Sequence, residues 1–265
     1  MRAAPTVCYV FAAAISVGSA ACVTQSAEPP DPGRAVAASS TPPPRRPLVI
    51  AVVGDNSGST AKALVPRPTR AQIAELLDLV AAHGGDFGWT AVCTDSRQPM
   101  LRAHFEAPPV QRPAPALPLN PLLREEVLQE AEEAGREDAE ALRDWDVRTR
   151  EHVDSFLSMV ADQLEVERSC RRSDVWGALQ RAALLLGEPW DSSAVSGAPL
   201  RVLLVASDGE DNVRRPHVTL PGDVTTVIVN GSGRYGQLAT LAPVAFEALA
   251  PSIRYIAHLA MQEKE

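Results

Sequence analysis

Residues 48–59 read LVIAVVGDNSGS. The first six are apolar and rich in β-branched side chains, with no polar residue alternating between them. That pattern suits a strand buried on both faces, as in a parallel sheet. It stops at Gly54, and a polar loop, Asp55-Asn56-Ser57-Gly58-Ser59, follows at once. A buried strand that ends in a short polar, glycine-containing loop is how α/β sheets present ligand sites, at the carboxyl ends of strands near a reversal of strand order.

The segments that follow alternate in the same way. In RPTRAQIAELLDLVAAHGG, residues 67–85, Ile73, Leu76, Leu77 and Val80 share one helical face, Thr69 is a candidate N-cap and Gly84-Gly85 a stop. Residues 87–94, FGWTAVCT, predict a second strand and 100–105, MLRAHF, a weaker third. Asn120-Pro121 is a cap and first-turn pair opening a long helical pattern to about Arg168, with a break expected at Gly135. Another helix is predicted from Asp174-Val175 to Gly187, a buried strand at 200–206, LRVLLVA, and a further strand at 224–229, VTTVIV. A helix around 235–249 and a short strand at 252–257 are expected to close the chain. Apolar strands alternating with amphipathic helices make an α/β sheet covered on both faces.

The N-terminus predicts an address. Residues 7–21 form an uncharged apolar and small-residue run behind Arg2, shorter than the roughly 20 residues a membrane-spanning helix needs. It reads as a secretory signal. Ser19-Ala20-Ala21-Cys22 resembles a bacterial lipobox, with Ser19 where an aliphatic residue is usual; lipidation at Cys22 would anchor the mature chain to a membrane. Ordinary cleavage to a soluble periplasmic or secreted protein is the alternative. Residues 22–47, rich in Pro, Ala and Ser, suit an extended linker. The expected layout is signal 1–21, linker 22–47 and one domain over 48–265, in which residues 108–168 form a Pro-rich segment and a long acidic helical insertion.

The chain of 265 residues carries 25 basic and 33 acidic side chains, a net charge of −8. Nucleic acid is a poor partner for such a chain. The charge is not evenly spread. Residues 122–168 hold 15 acidic and 6 basic side chains, so that this stretch accounts for the whole excess. A solvated helix face explains it, as does a surface selecting a basic partner.

Three polar clusters follow strands or open helices: Asp55, Ser57 and Ser59 after the first strand, Ser173 before the helix at 175, and Asp208-Gly209 after the 200–206 strand. Together they offer two carboxylates and three hydroxyls. Hard divalent cations such as Mg²⁺ or Mn²⁺ take oxygen ligands. Two carboxylates alone leave such an ion electrophilic, so a carboxylate from outside is a favourable further ligand.

On these residues the sequence resembles a von Willebrand factor A domain with a metal-ion-dependent adhesion site. The family's D-x-S-x-S motif matches Asp55, Ser57 and Ser59; its threonine matches Ser173, with serine in place of threonine; its strand ending in D-G matches residues 203–209. The resemblance covers roughly residues 47–257. It implies a doubly wound, mostly parallel sheet with helices on both faces. It also implies a site at Asp55, Ser57, Ser59, Ser173 and Asp208 that binds an Asp or Glu of a protein partner through Mg²⁺ or Mn²⁺, without catalysis. The long acidic helix departs from the family pattern. The loops could instead be simple turns and caps.

Other chemistries fit less well. Gly54-Asp55-Asn56-Ser57-Gly58 misses the G-x-S-x-G nucleophile elbow, no P-loop occurs, and no Cys/His spacing suits zinc. A metal-dependent hydrolase and a scaffolding protein that docks through its acidic helix stand as alternatives. Cys93 and Cys170 can pair in an oxidising envelope, which would pin the loop before Ser173; two separate thiols are the other reading.

Overall fold

A computed structural model describes residues 45–93, 96, 98–165, 170–190, 197–213, 216–233 and 235–262. The signal segment 1–21, Cys22 and the linker up to residue 44 lie outside the described residues.

Six strands form one sheet: β1 (Leu48–Asp55), β2 (Gly85–Val92), β3 (Leu101–Phe105), β4 (Leu200–Ala206), β5 (Val224–Val229) and β6 (Val244–Phe246). Their order is β3-β2-β1-β4-β5-β6. All neighbours are parallel except β2 and β3. The chain winds outward from β1 to one edge, returns, and winds outward again from β4. This is a doubly wound α/β sheet whose strand order reverses between β1 and β4.

The apolar run at β1 behaves as its composition requires. All eight of its residues are buried. Leu48, Ile50 and Val52 face one layer with α2 (Arg70–His83), the end of α3 (Pro121–Glu165) and α5 (Leu249–Met261). Val49, Ala51 and Val53 face the other, with α4 (Val175–Gly187). Helix α2 opens with a capping box between Thr69 and Gln72. A five-residue helix, α1 (Gly58–Lys62), precedes it. Arg45 and Arg46, inside the stretch read as linker, already dock on the domain through the carbonyls of Ala82, Ala198 and Pro199.

Helix α3 corrects one expectation. It runs 45 residues with no break at Gly135, about 68 Å at 1.5 Å per residue. A glycine in an exposed helix costs only about 1 kcal/mol against alanine, and the Ala, Glu and Arg residues around it outweigh that. Its buried residues are Val153, Phe156, Leu157, Val160 and Leu164, so only its last third enters the core. The Pro-rich segment before it runs back along its first part. There Arg112 binds Asp138, Glu137 and the Ala134 carbonyl, and Trp145 Nε1 donates to the Glu106 carbonyl.

The C-terminal expectations are also corrected. The segment at 235–249 is a short 3₁₀ turn, Gly236–Leu241, followed by strand β6. The stretch read as a strand at 252–257 lies inside α5, where Leu249, Ile253, Ile256 and Ala260 form a buried helical stripe. Pro251 is accommodated because the first turn of a helix has no use for its missing N–H.

Candidate metal centre

The reversal between β1 and β4 places the carboxyl ends of these two strands side by side, with Gly54 opposite Ala206. Asp55 is the last residue of β1, and Ser207 and Asp208 follow β4. Gly54 is required here because the Trp89 ring passes beneath it; a Cβ would collide with that ring. Trp89 Nε1 in turn donates to Gln163 Oε1, and Asn56 Nδ2 donates to the Gln163 carbonyl. The end of α3 thus braces the polar loop after β1.

Asp55 is buried, 3% exposed. Its Oδ1 accepts the Ser57 backbone N–H at 2.8 Å and its Oδ2 the Ser207 hydroxyl at 2.6 Å. Burial pushes its carboxyl above the ordinary aspartate value; the hydrogen bonds from Ser207 and Ser57 oppose this, and the nearby Asp208 carboxylate adds to it. A site that makes its own carboxylate costly to ionise gains when a cation arrives.

Ser57 Oγ lies 3.0 Å from Ser59 Oγ, and Thr60 Oγ1 donates to the Ser57 carbonyl, which holds the loop tight. Across from it, Ser57 forms an isolated parallel bridge with Cys170, and the Gly58 N–H donates to the Cys170 carbonyl. Cys170 is disulfide-bonded to Cys93. The Cys93 carbonyl accepts from Asp174 N, and the Ser173 carbonyl accepts from Asn212 N at 2.9 Å. Ser173 is therefore clamped on both sides, between the end of β2 and the loop after β4. Asp174 caps α4 at Gly177, and Asp211 accepts from Val175 N.

The Ser173 hydroxyl is the exception in this network. It is buried and, among the described residues, has no hydrogen-bond partner. Nearly all buried polar atoms are paired in folded proteins, so an orphaned hydroxyl on a wall shared with Ser57, Ser59 and Asp208 fits a donor to a cation. Asp208, 5% exposed, accepts from Glu210 N through Oδ1. The turn after it requires Gly209, whose φ is +73° and whose Cβ would meet the Tyr235 carbonyl.

Ser57, Ser59, Ser173 and Asp208 line one cleft of about 720 Å³, together with Lys62, Arg171, Glu210, Asn212 and Ser232. Asp55 lies just behind, joined to Ser57 and Ser207. The five residues singled out in the sequence thus meet at one place, three loops contributing. Ser207, Gln163, Asp211 and Asn212 belong to the same construction and carried no signal of their own. Among the described residues no group of three or more His, Cys, Asp or Glu is arranged to hold a metal ion; the donors here are mainly hydroxyls, which an oxygen-liking hard cation accepts.

No family model and no curated protein matches the chain. Solved structures do. Proximal thread matrix protein 1 from the mussel byssus aligns at 12% identity over 82% of this chain and 48% of its own, with a TM-score of 0.33. The same protein with a zinc-occupied MIDAS motif aligns at 11% over 82% of this chain and 48% of that one, TM-score 0.30. The pilus adhesin SpaC from Lactobacillus rhamnosus GG aligns at 9% identity over 81% of this chain and 30% of the adhesin, TM-score 0.38. The chain spans less than half the length of each of these structures. The fold assignment rests on this chain's own strand order, the site on its own residues.

Proposed function

We propose that this chain is a divalent-cation-dependent protein-binding domain. Asp55, Ser57, Ser59, Ser173 and Asp208 would hold Mg²⁺ or Mn²⁺, and the cleft above them would admit an Asp or Glu side chain of a partner protein. The observation that carries this reading is the buried, unpartnered Ser173 hydroxyl on the wall shared with Ser57, Ser59 and Asp208. The bound ion would supply the electrophilic attachment point for the partner's carboxylate. The chain's own part is preorganisation. Ser207 and the Ser57 amide fix Asp55, the disulfide and Asn212 fix Ser173, and the Gly209 turn fixes Asp208. A binding role suits these hydroxyls, because Ser57 Oγ lies beside Ser59 Oγ and the Asp55 carboxylate, oxygen neighbours that fit a hard cation's ligand set.

Export to an oxidising compartment is part of the proposal, and the Cys93–Cys170 disulfide supports it. Anchoring through a lipid on Cys22 extends it, and the mass of the mature N-terminus tests that step. For the site, calorimetric titration of Mg²⁺ into the wild type, Asp55→Ala and Ser173→Ala is decisive. Binding in the wild type and its loss in both variants supports the proposal; negligible heat in all three sinks it.

A second reading has its own support. The part of α3 before Val153 contributes no buried residue and carries most of the acidic excess, which suits a scaffold that binds a basic partner with the cleft idle. Retention of the native partner in EDTA would favour this version.

A further inference from the structure

We infer that the mouth of the cleft selects an acidic polypeptide segment, with Lys62 and Arg171 reading a second carboxylate beside the one bound at the floor. The floor in this statement rests on the cation reading above; the rim does not.

Lys62 and Arg171 both line the cleft that holds Ser57, Ser59, Ser173 and Asp208. They reach it from opposite sides. Lys62 ends α1, which starts one residue after Ser57. Arg171 follows Cys170, which bridges to Ser57 and accepts the Gly58 amide. The two backbones that carry these cations are therefore tied to each other across the site.

Both side chains are exposed, and among the described residues neither enters an ion pair or a hydrogen bond. Other arginines of the domain are engaged: Arg102 with Glu188, Arg112 with Glu137 and Asp138, Arg150 with Asp146, Arg201 with Asp223. Lysine is rare in this chain, Lys62 and Lys264 being its only two.

Among the described residues the opposing charge at the rim is Glu210, which is exposed on the same cleft. Asp55 and Asp208 sit lower, where a divalent ion would balance them. Among the described residues that line the cleft, two uncommitted cations then face one exposed carboxylate around the mouth. That field favours a ligand with more than one negative charge. A cleft of about 720 Å³ is in the size class of small-ligand sites, so a short segment enters it and not a folded surface.

Fluorescence anisotropy with two labelled, C-terminally amidated peptides tests the inference: Gly-Ser-Glu-Ser-Gly, with one side-chain carboxylate, and Gly-Glu-Glu-Glu-Gly, with three. In Mg²⁺ the wild type should prefer the acidic peptide by about fivefold to tenfold, the worth of two exposed pairs. The preference should shrink as salt is raised. The double variant Lys62→Ala/Arg171→Ala should lower it to about twofold or less while calorimetric Mg²⁺ affinity stays unchanged, and Glu210→Gln should raise it. No preference in the wild type, or an undiminished one in the double variant, overturns the inference. If calorimetry shows no Mg²⁺ binding, the cation reading falls alone. The rim is then judged from the metal-free affinities, where the double variant must still erase the preference for the acidic peptide; its persistence overturns the rim as well.

Discussion

Ser207 Oγ donates to Asp55 Oδ2 at 2.6 Å across the seam between β1 and β4, and the same oxygen accepts the Gly209 N–H at 3.0 Å. One hydroxyl thus couples the two halves of the sheet at the point where strand order reverses. It also fixes both carboxylate-bearing loops. Ser207→Ala leaves a buried carboxylate oxygen and a buried amide without their partner. Such a loss costs about 1–3 kcal/mol. Urea unfolding should show a destabilisation in that range, and calorimetry a weaker Mg²⁺ affinity. A variant as stable as the wild type would mean that Asp55 is held by other contacts.

Ser173→Ala should separate function from stability. Its hydroxyl is buried and has no partner among the described residues, so removing it takes away a desolvation cost and no hydrogen bond. The metal-free variant should be as stable as the wild type or slightly more stable, within about 1 kcal/mol. Its Mg²⁺ affinity should fall sharply. A residue kept only for packing would give the opposite pattern, with stability lost and metal response unchanged.

The Cys93–Cys170 disulfide spans 77 residues of sequence. Its removal by Cys93→Ser/Cys170→Ser should cost about 2–5 kcal/mol, as is typical for a native cross-link. A second effect is expected from position. Cys170 pairs with Ser57 and Gly58, and Cys93 with Asp174. Mg²⁺ affinity should therefore drop in the double variant even under conditions where circular dichroism shows it folded. Unchanged affinity would confine the cross-link to stability.

The legible parts of this protein are those whose signal is local. The continuous apolar runs at β1 and β4, each stopped by a polar loop, mark both the strands and the residues at their ends. Asp55 and Asp208 could be placed for that reason. Ser207 could not, because a serine before Asp-Gly acquires its role only when β4 lies beside β1. Gln163 is further still, more than a hundred residues from the Asn56 it holds. The C-terminal misreading has a different cause. Ile253 and Ile256 are spaced for a helix, but the stretch is short and follows Pro251, a residue that breaks a helix interior yet is accepted in a first turn.

Gly135 offers a direct check on the uninterrupted α3. A Cβ there meets nothing within 4 Å, so Gly135→Ala should stabilise the helix by about 0.5–1 kcal/mol. Gly135→Pro should disrupt it at that point, with loss of ellipticity. If alanine leaves helicity and stability unchanged while proline is tolerated, the helix breaks there in solution.

His83 supplies a pH dependence whose sign follows from its surroundings. It closes α2, is 8% exposed, and pairs through Nδ1 with the Arg46 carbonyl at 3.1 Å. An oxygen acceptor places the proton on Nδ1, which leaves Nε2 as the nitrogen that titrates. Burial holds the imidazole below its ordinary value; the Arg46 carbonyl opposes this and the charge of Arg45 adds to it. The unfolded chain takes up the proton at the ordinary value, the folded chain only at lower pH. Between the two, the unfolded state binds more protons, so stability present above the ordinary histidine range is lost as pH falls. Unfolding free energies measured from about pH 8 to about pH 5 should therefore decline more steeply in the wild type than in His83→Asn. Parallel curves would show that His83 takes up its proton equally in both states, and that the acid sensitivity of the domain lies with its carboxylates.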